Sequence, residues 1–394
     1  MSTALMNGRV LTEDGFVTGA SVLIDGGRIL DVAAAEDPRC RSSRQYDLAG
    51  ALLLPGFIDS QVNGGGGVLF NDSPSVEAIR TIGAAHRRFG TTGFLPTLIS
   101  ADLDVVARAI GAVRGAIDAG VPGVLGIHIE GPFLNVARKG VHDPAKLREL
   151  DPSAAGLLTS LRGGRTLVTL APEMTTPEII QQLVAAGVLV SAGHTNASYA
   201  EIRAALAHGL TGFTHLFNAM SQLTGREPGT VGAALDDQGS WCGIIVDGEH
   251  TDPVVLRIAL RCKPHDRFML VTDAMPSVGT DSQSFELQGR RISVRGHACY
   301  DEDGRLAGSN IDMAGCVRNA VRLLGVPLAQ AVRMASQVPA QFLGLADCGR
   351  IAAGCRANLV LADDDLNVLE TWIDGRSSRA EAEPSVQSSA ASGA

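Results

Sequence analysis

Aromatic side chains are scarce, making up 4% of the 394 residues with only two tryptophans and three tyrosines. A platform that stacks successive bases needs such rings, so the shortage argues against single-stranded nucleic acid as a partner. Positive charge is also short. The formal net charge is −9 on a charged fraction of 19%, which leaves no broad basic face for a phosphate backbone, although a local pocket for a small anion stays open. No run approaches the roughly 20 apolar residues that cross a bilayer, and no N-terminal stretch joins a basic start to a long apolar core. A soluble cytoplasmic protein without a membrane partner is expected. The seven cysteines are odd in number and widely spaced, and no two form a Cys-x-x-Cys pair. Reduced, buried thiols are therefore expected in place of a disulfide scaffold or thiolate metal site. No Gly-x-Gly-x-x-Gly follows an early strand, which removes the dinucleotide loop; Gly64-Gly65-Gly66-Gly67 marks only permissive backbone.

What is abundant is apolar residue and glycine: 45% hydrophobic and 46 glycines, enough for a large core with many short turns. The first fifty residues read as short strands, with Asp25-Gly26-Gly27 as a hairpin signal between Ala20-Ser21-Val22-Leu23-Ile24 and Arg28-Ile29-Leu30-Asp31-Val32. The same texture returns in Gly349-Arg350-Ile351 and over 357–362 and 368–373. Both chain ends are thus expected to build one small β-sandwich domain, from 1–52 and 347–376, around a catalytic segment at 53–346. The Ser/Ala/Glu-rich tail at 377–394 has little to bury and is expected to be disordered.

Within the central segment, apolar runs alternate with alanine-rich helical stretches. Strands are predicted over 52–58, 92–98, 124–129, 167–171, 188–192, 212–216, 242–246 and 268–272. Helices are predicted over 75–89, 104–119, 176–186, 199–209 and 252–261, with Thr175 or Thr176 and Ser198 as caps. Near-continuous apolar strands separated by helices make a parallel sheet covered on both sides. Eight of them predict an α/β fold of the (β/α)8 TIM-like barrel type.

Several of these runs stop at an ionisable residue: Glu130 after Ile127-His128-Ile129, His194 after Ser191-Ala192-Gly193, His215 after Phe213-Thr214, and Asp273 after Val271-Thr272. In a barrel the C-terminal strand ends converge on one mouth, where such folds do chemistry. The spacing of Glu130, His194 and His215 is irregular and forms no short motif, so their meeting depends on the fold. Together they make a first shell for one divalent ion, zinc by preference, with iron, manganese or cobalt also compatible. Asp273 would then sit beside a polarised water and carry its proton to a departing amine.

Pro55-Gly56-Phe57-Ile58-Asp59 followed by Gln61-Val62-Asn63-Gly64 resembles the amidohydrolase superfamily. The fuller set is similar to its N-acetylglucosamine-6-phosphate deacetylases: His128-Ile129-Glu130-Gly131-Pro132, Lys139-Gly140-Val141-His142, Gly193-His194-Thr195, His215-Leu216-Phe217-Asn218-Ala219-Met220, Gly225-Arg226-Glu227-Pro228, Asp247-Gly248-Glu249-His250 and Thr272-Asp273-Ala274. The resemblance implies hydrolysis of N-acetyl-D-glucosamine 6-phosphate to D-glucosamine 6-phosphate and acetate. Deacetylation of another amino sugar, or opening of a cyclic amide, is the alternative. It also implies metal ligation by Glu130, His194 and His215, acid–base work by Asp273, and sugar binding or carbonyl orientation by His142. Phosphate contacts fall to Asn218, the N–H of Ala219, Arg226 and His250, with Arg226 and His250 reaching across a homodimer interface. Leu306 in Leu306-Ala307-Gly308-Ser309 would meet the acetyl group. Where many members of the superfamily carry His-x-His, this chain has Gln61-Val62-Asn63, so one metal ion per subunit is expected and Gln61 and Asn63 are candidate contributors at the end of the first strand.

Overall fold

A computed structural model describes residues 2–379. Its centre is an eight-stranded parallel sheet, with strands numbered β1 to β8 in chain order: Phe57–Val62, Thr91–Ile99, Gly126–Glu130, Arg165–Leu170, Leu189–Ala192, Gly212–Phe213, Trp241–Ile244 and Phe268–Leu270. Each strand pairs with its sequence neighbour. The ring is drawn together where Val62 bridges Ala274 and the Asp273 N–H donates to the Gln61 carbonyl at 3.0 Å. Every residue of β2 is buried, its three threonines included, which is why an inside strand carries no charged side chain and reads as largely apolar. Helices between strands bury their apolar stripes on the outside of the sheet: Val76–Arg87, Leu103–Asp118, Pro177–Ala185, Tyr199–Ala207 and Pro253–Cys262. Ser198 caps its helix in a capping box with Glu201. Thr176 occupies the corresponding position of Pro177–Ala185 without capping a backbone N–H through its side chain.

The run expected as one first strand is two. Leu52–Pro55 pairs antiparallel with Leu359–Ala362 and parallel with Arg9 and Val10, so it belongs to an outer sheet, and only Phe57–Val62 enters the barrel. Gly56 is the pivot. A Cβ there would lie 2.0 Å from Thr92 Oγ1, so the chain turns against β2 at a point with no room for a side chain. Elsewhere the predicted strands shift by a few residues at most. The largest change is β6, which ends at Phe213 because His215 and Phe217 take positive φ angles of 33° and 79°.

Two sheets flank one end of the barrel. One joins Arg28–Ala34, Ala20–Asp25, Thr3–Met6 and Arg44–Asp47; the other interleaves N-terminal strands with Leu359–Ala362, Val368–Ile373 and Arg376–Ser377. Their shared core includes Leu5, Val22, Leu53, Ile351, Leu359 and Trp372, drawn from both chain ends. Gly349-Arg350-Ile351 is not a strand; Ile351 is buried in that core from a loop. The expected tail is ordered at its start, where Ser377 pairs with Trp372 and Arg379 Nε lies 3.2 Å from Glu370; 380–394 lies outside the described residues.

An antiparallel unit goes unpredicted: Ser284–Leu287, Arg290–Arg295, Ala298–Tyr300 and Leu306–Ser309, inserted after β8 and folded over the barrel mouth. The helices at Met313–Leu324 and Leu328–Ala335 then return the chain to the barrel wall. Among the described residues no helix is long and apolar enough to cross a membrane. All seven cysteines are free, and only Cys262 is exposed.

Candidate active site

Glu130 closes β3 and is 2% exposed. His194, His215 and Asp273 follow the ends of β5, β6 and β8, and all three take positive φ angles, 48°, 33° and 52°. Such angles are costly for residues with a Cβ and persist only where the surroundings enforce them. Here they turn three polar side chains inward at the mouth just as the apolar runs end.

Nε2 of His215 and of His194 lie 2.9 and 3.1 Å from Glu130 Oε1 and 3.0 Å from each other. One ligand atom from each residue falls within 4.8 Å of the others, a buried group able to hold a metal ion. Its chemistry calls for a cation. Burial alone would raise the Glu130 carboxyl, yet hydrogen bonds and charge from His194 and His215 hold it well below the ordinary range. Burial likewise opposes charge on His215, but Glu130 draws its proton affinity above the usual value. Nδ1 of His194 faces the Arg138 carbonyl at 2.9 Å, which only a donating Nδ1–H can satisfy. With that hydrogen on Nδ1, Nε2 has only two ways to face a carboxylate oxygen at 3.1 Å: as a second N–H on a cationic ring, or as a lone pair with a cation held between them. Two imidazoles and a carboxylate fit a divalent first-row ion.

Asp273 stands beside this group. Its Oδ1 accepts from Asn63 Nδ2 at 2.6 Å and Gln61 Nε2 at 3.2 Å, while the same Gln61 amide donates to Glu130 Oε2 at 3.1 Å. Gln61 thus ties Asp273 to the ligand carboxylate, while Asn63 holds Asp273 alone. Burial, then the Glu130 charge, raise the proton affinity of Asp273, with His215 and His250 acting in the other direction. His142 is 2% exposed, its ring centroid 4.4 Å from that of His194, and burial keeps it well below the usual imidazole value and neutral.

A cavity of about 360 Å³ opens over these groups. Its wall includes Asn218, Ala219, His250 and Leu306, the last carried in by the unpredicted antiparallel unit. Ala219 has a φ of 49°, and among the described residues its N–H has no partner. Nδ1 of His250 is held 2.5 Å from Asp247 Oδ2. His250 lines the cavity of its own chain, carried there by the loop after β7. Arg226 is exposed and absent from this wall. Arg138 and Arg305, which sequence reasoning did not single out, line it instead. Their only signal was positive charge in loops adjoining the site residues.

Comparison with known proteins agrees with the geometry. The profile of the Amidohydrolase family matches residues 52–377. The N-acetylgalactosamine-6-phosphate deacetylase of Shewanella sp. (strain ANA-3) is 43% identical, covering 93% of each chain. The N-acetylglucosamine-6-phosphate deacetylase of Haemophilus influenzae is 36% identical over 95% of this chain and 99% of its own. The crystal structure of N-acetylglucosamine-6-phosphate deacetylase from Pasteurella multocida superposes with a TM-score of 0.92 at 36% identity, covering 96% of this chain and 99% of that one. With its barrel, its buried Glu/His/His group and a match running through both, the chain belongs to the amidohydrolase family, in the group that holds these amino-sugar phosphate deacetylases.

Proposed function

We propose that the protein hydrolyses N-acetyl-D-glucosamine 6-phosphate to D-glucosamine 6-phosphate and acetate. The observation that carries this is the convergence of Glu130, His194 and His215 ligand atoms within 4.8 Å, with Asp273 tied to the same cluster through Gln61. Glu130, His194 and His215 would hold one divalent ion, zinc by preference, since Gln61 and Asn63 offer amides where a second ion would need imidazoles. When bound, the ion supplies Lewis acidity for the amide carbonyl and lowers the pKa of water. Asp273, with its raised proton affinity, takes the proton of the attacking water at a carboxylate oxygen and returns it to the departing nitrogen. Neutral His142 orients the carbonyl, and Leu306 meets the acetyl methyl.

For the phosphate, Asn218, the open N–H of Ala219 and His250 supply donors from one side. Arg226 lies away from its own cavity, which supports its acting on the site of a second copy in a homodimer. The chain divides in this reading into a companion domain, 1–52 with 347–376, and the barrel of 53–346, acting in the cytoplasm.

A second substrate has support of its own, because the Shewanella relative at 43% identity is a deacetylase of the galactosamine epimer. The test is acetate release by metal-quantified protein on the two 6-phosphates and on unphosphorylated N-acetylglucosamine. Turnover of the glucosamine form at least as fast as the galactosamine form, and little on the neutral sugar, is expected. The reverse order between epimers would reassign the substrate, and equal turnover without phosphate would remove the phosphate site.

A further inference from the structure

Ser100 follows the end of β2, is 1% exposed, and has no part in the reaction as described above. Yet its side chain and its main chain converge on one atom. Ser100 Oγ lies 2.7 Å from Nδ1 of His142, and the Ser100 N–H points at the same nitrogen from 3.3 Å. A backbone N–H can only donate. Nδ1 therefore presents its lone pair, and the hydroxyl facing that lone pair donates as well. A neutral imidazole accepting at Nδ1 carries its hydrogen on Nε2.

We infer that Ser100 is a positioning residue that fixes His142 as the Nε2–H tautomer, so that His142 meets the substrate as a hydrogen-bond donor and never as a base. The inference rests on the reading of His142 as a residue that faces the substrate carbonyl. The chemistry is complementary. An amide oxygen offers only lone pairs, and charge grows on it as water attacks, so a fixed donor strengthens through the reaction while the opposite tautomer would set lone pair against lone pair. It also leaves Asp273 as the residue that moves the proton.

The surroundings hold the serine hydroxyl in place. Gly131, directly after Glu130, has a φ of 85°, and a Cβ on it would lie 2.3 Å from Ser100 Oγ and 2.9 Å from Leu134 Cδ1. The hydroxyl fills the space a side chain would need. From the other direction the Ser100 carbonyl accepts from Gln288 Nε2 at 3.2 Å, in the turn between Ser284–Leu287 and Arg290–Arg295. The antiparallel unit over the mouth thus braces the residue that orients His142.

The test compares Ser100→Ala, Ser100→Thr and His142→Gln in zinc-loaded, metal-quantified enzyme. It uses steady-state deacetylation of N-acetylglucosamine 6-phosphate and ¹⁵N spectra of histidine-labelled protein, with His142→Gln assigning the resonances. The wild type is expected to show an unprotonated Nδ1 and a protonated Nε2 at His142. Ser100→Ala should blur that pattern and lower kcat about tenfold, with KM changed far less. Ser100→Thr, which keeps the hydroxyl, should recover both. A wild-type His142 protonated at Nδ1, or a Ser100→Ala enzyme with unchanged kcat and tautomer, would overturn the inference. Full activity in His142→Gln would instead remove the reading of His142, and with it the catalytic half of the inference, while the nitrogen shifts still decide the tautomer.

Discussion

Asp273 sits where burial and the Glu130 carboxylate both favour its protonated form, while two amide donors favour the charged one. That balance suits a group that must accept a proton and give it back. Asp273→Asn keeps the shape and loses the proton site, so deacetylation is expected to fall by roughly 10²- to 10⁴-fold with bound metal unchanged, as read by turnover beside metal analysis. Another buried histidine adds a pH dependence to stability. His86 donates from Nε2 to the Gly64 carbonyl at 2.8 Å, its Nδ1 has no partner among the described residues, and burial holds its pKa below the usual value. Below about pH 6.5 the unfolded imidazole binds a proton that the folded one resists, so stability is full above that pH and declines as acid carries it toward the lowered folded value. Denaturant titrations between pH 7 and 5 should show this loss, and His86→Gln should reduce it in part, since burial lowers His128 and His142 as well. A slope unchanged by the substitution assigns the loss to those other groups.

At the scale of elements, the chain's alternation of apolar runs and helical stretches was enough to anticipate the barrel strands, because strands buried on both faces are mostly apolar and keep their polar residues few. The division at Gly56 was invisible, since the predicted run 52–58 carries no charged or hydrogen-bonding side chain on either side of it and the break is a steric matter. Gly56→Val forces a side chain into Thr92 and is expected to cost about 1–3 kcal/mol. A lowered urea midpoint at constant slope would register it; an unchanged midpoint would mean that the pivot yields freely. The antiparallel unit was equally hidden. Its strands are short and half exposed, with charged positions at Arg290, Arg291 and Arg295, and nothing in such a pattern says that they fold over a barrel mouth.

For the whole molecule, the open matter is whether one chain completes its own site. Arg226 is exposed and off the cavity wall, while His250 is on it. Arg226→Ala and Asp273→Asn are each expected to be poorly active, the first through KM for the 6-phosphate and the second through kcat. Mixing the two under conditions that exchange subunits should restore activity to a fraction of the sites, because one mixed site then combines an intact Asp273 with an intact Arg226 from the other chain. No recovery in mixed dimers of verified composition would return Arg226 to its own chain.

The sequence by itself determined the parallel barrel, the residues that end its strands and the absence of imidazoles at 61 and 63, because burial and residue chemistry are written position by position. Only the tertiary structure decided that Glu130, His194 and His215 share a 4.8 Å cluster, that His250 reaches its own cavity, and that Ser100 faces His142. Those contacts join residues tens of positions apart, and their distances depend on strand register and on left-handed turns at His194, His215 and Asp273, which no local pattern encodes.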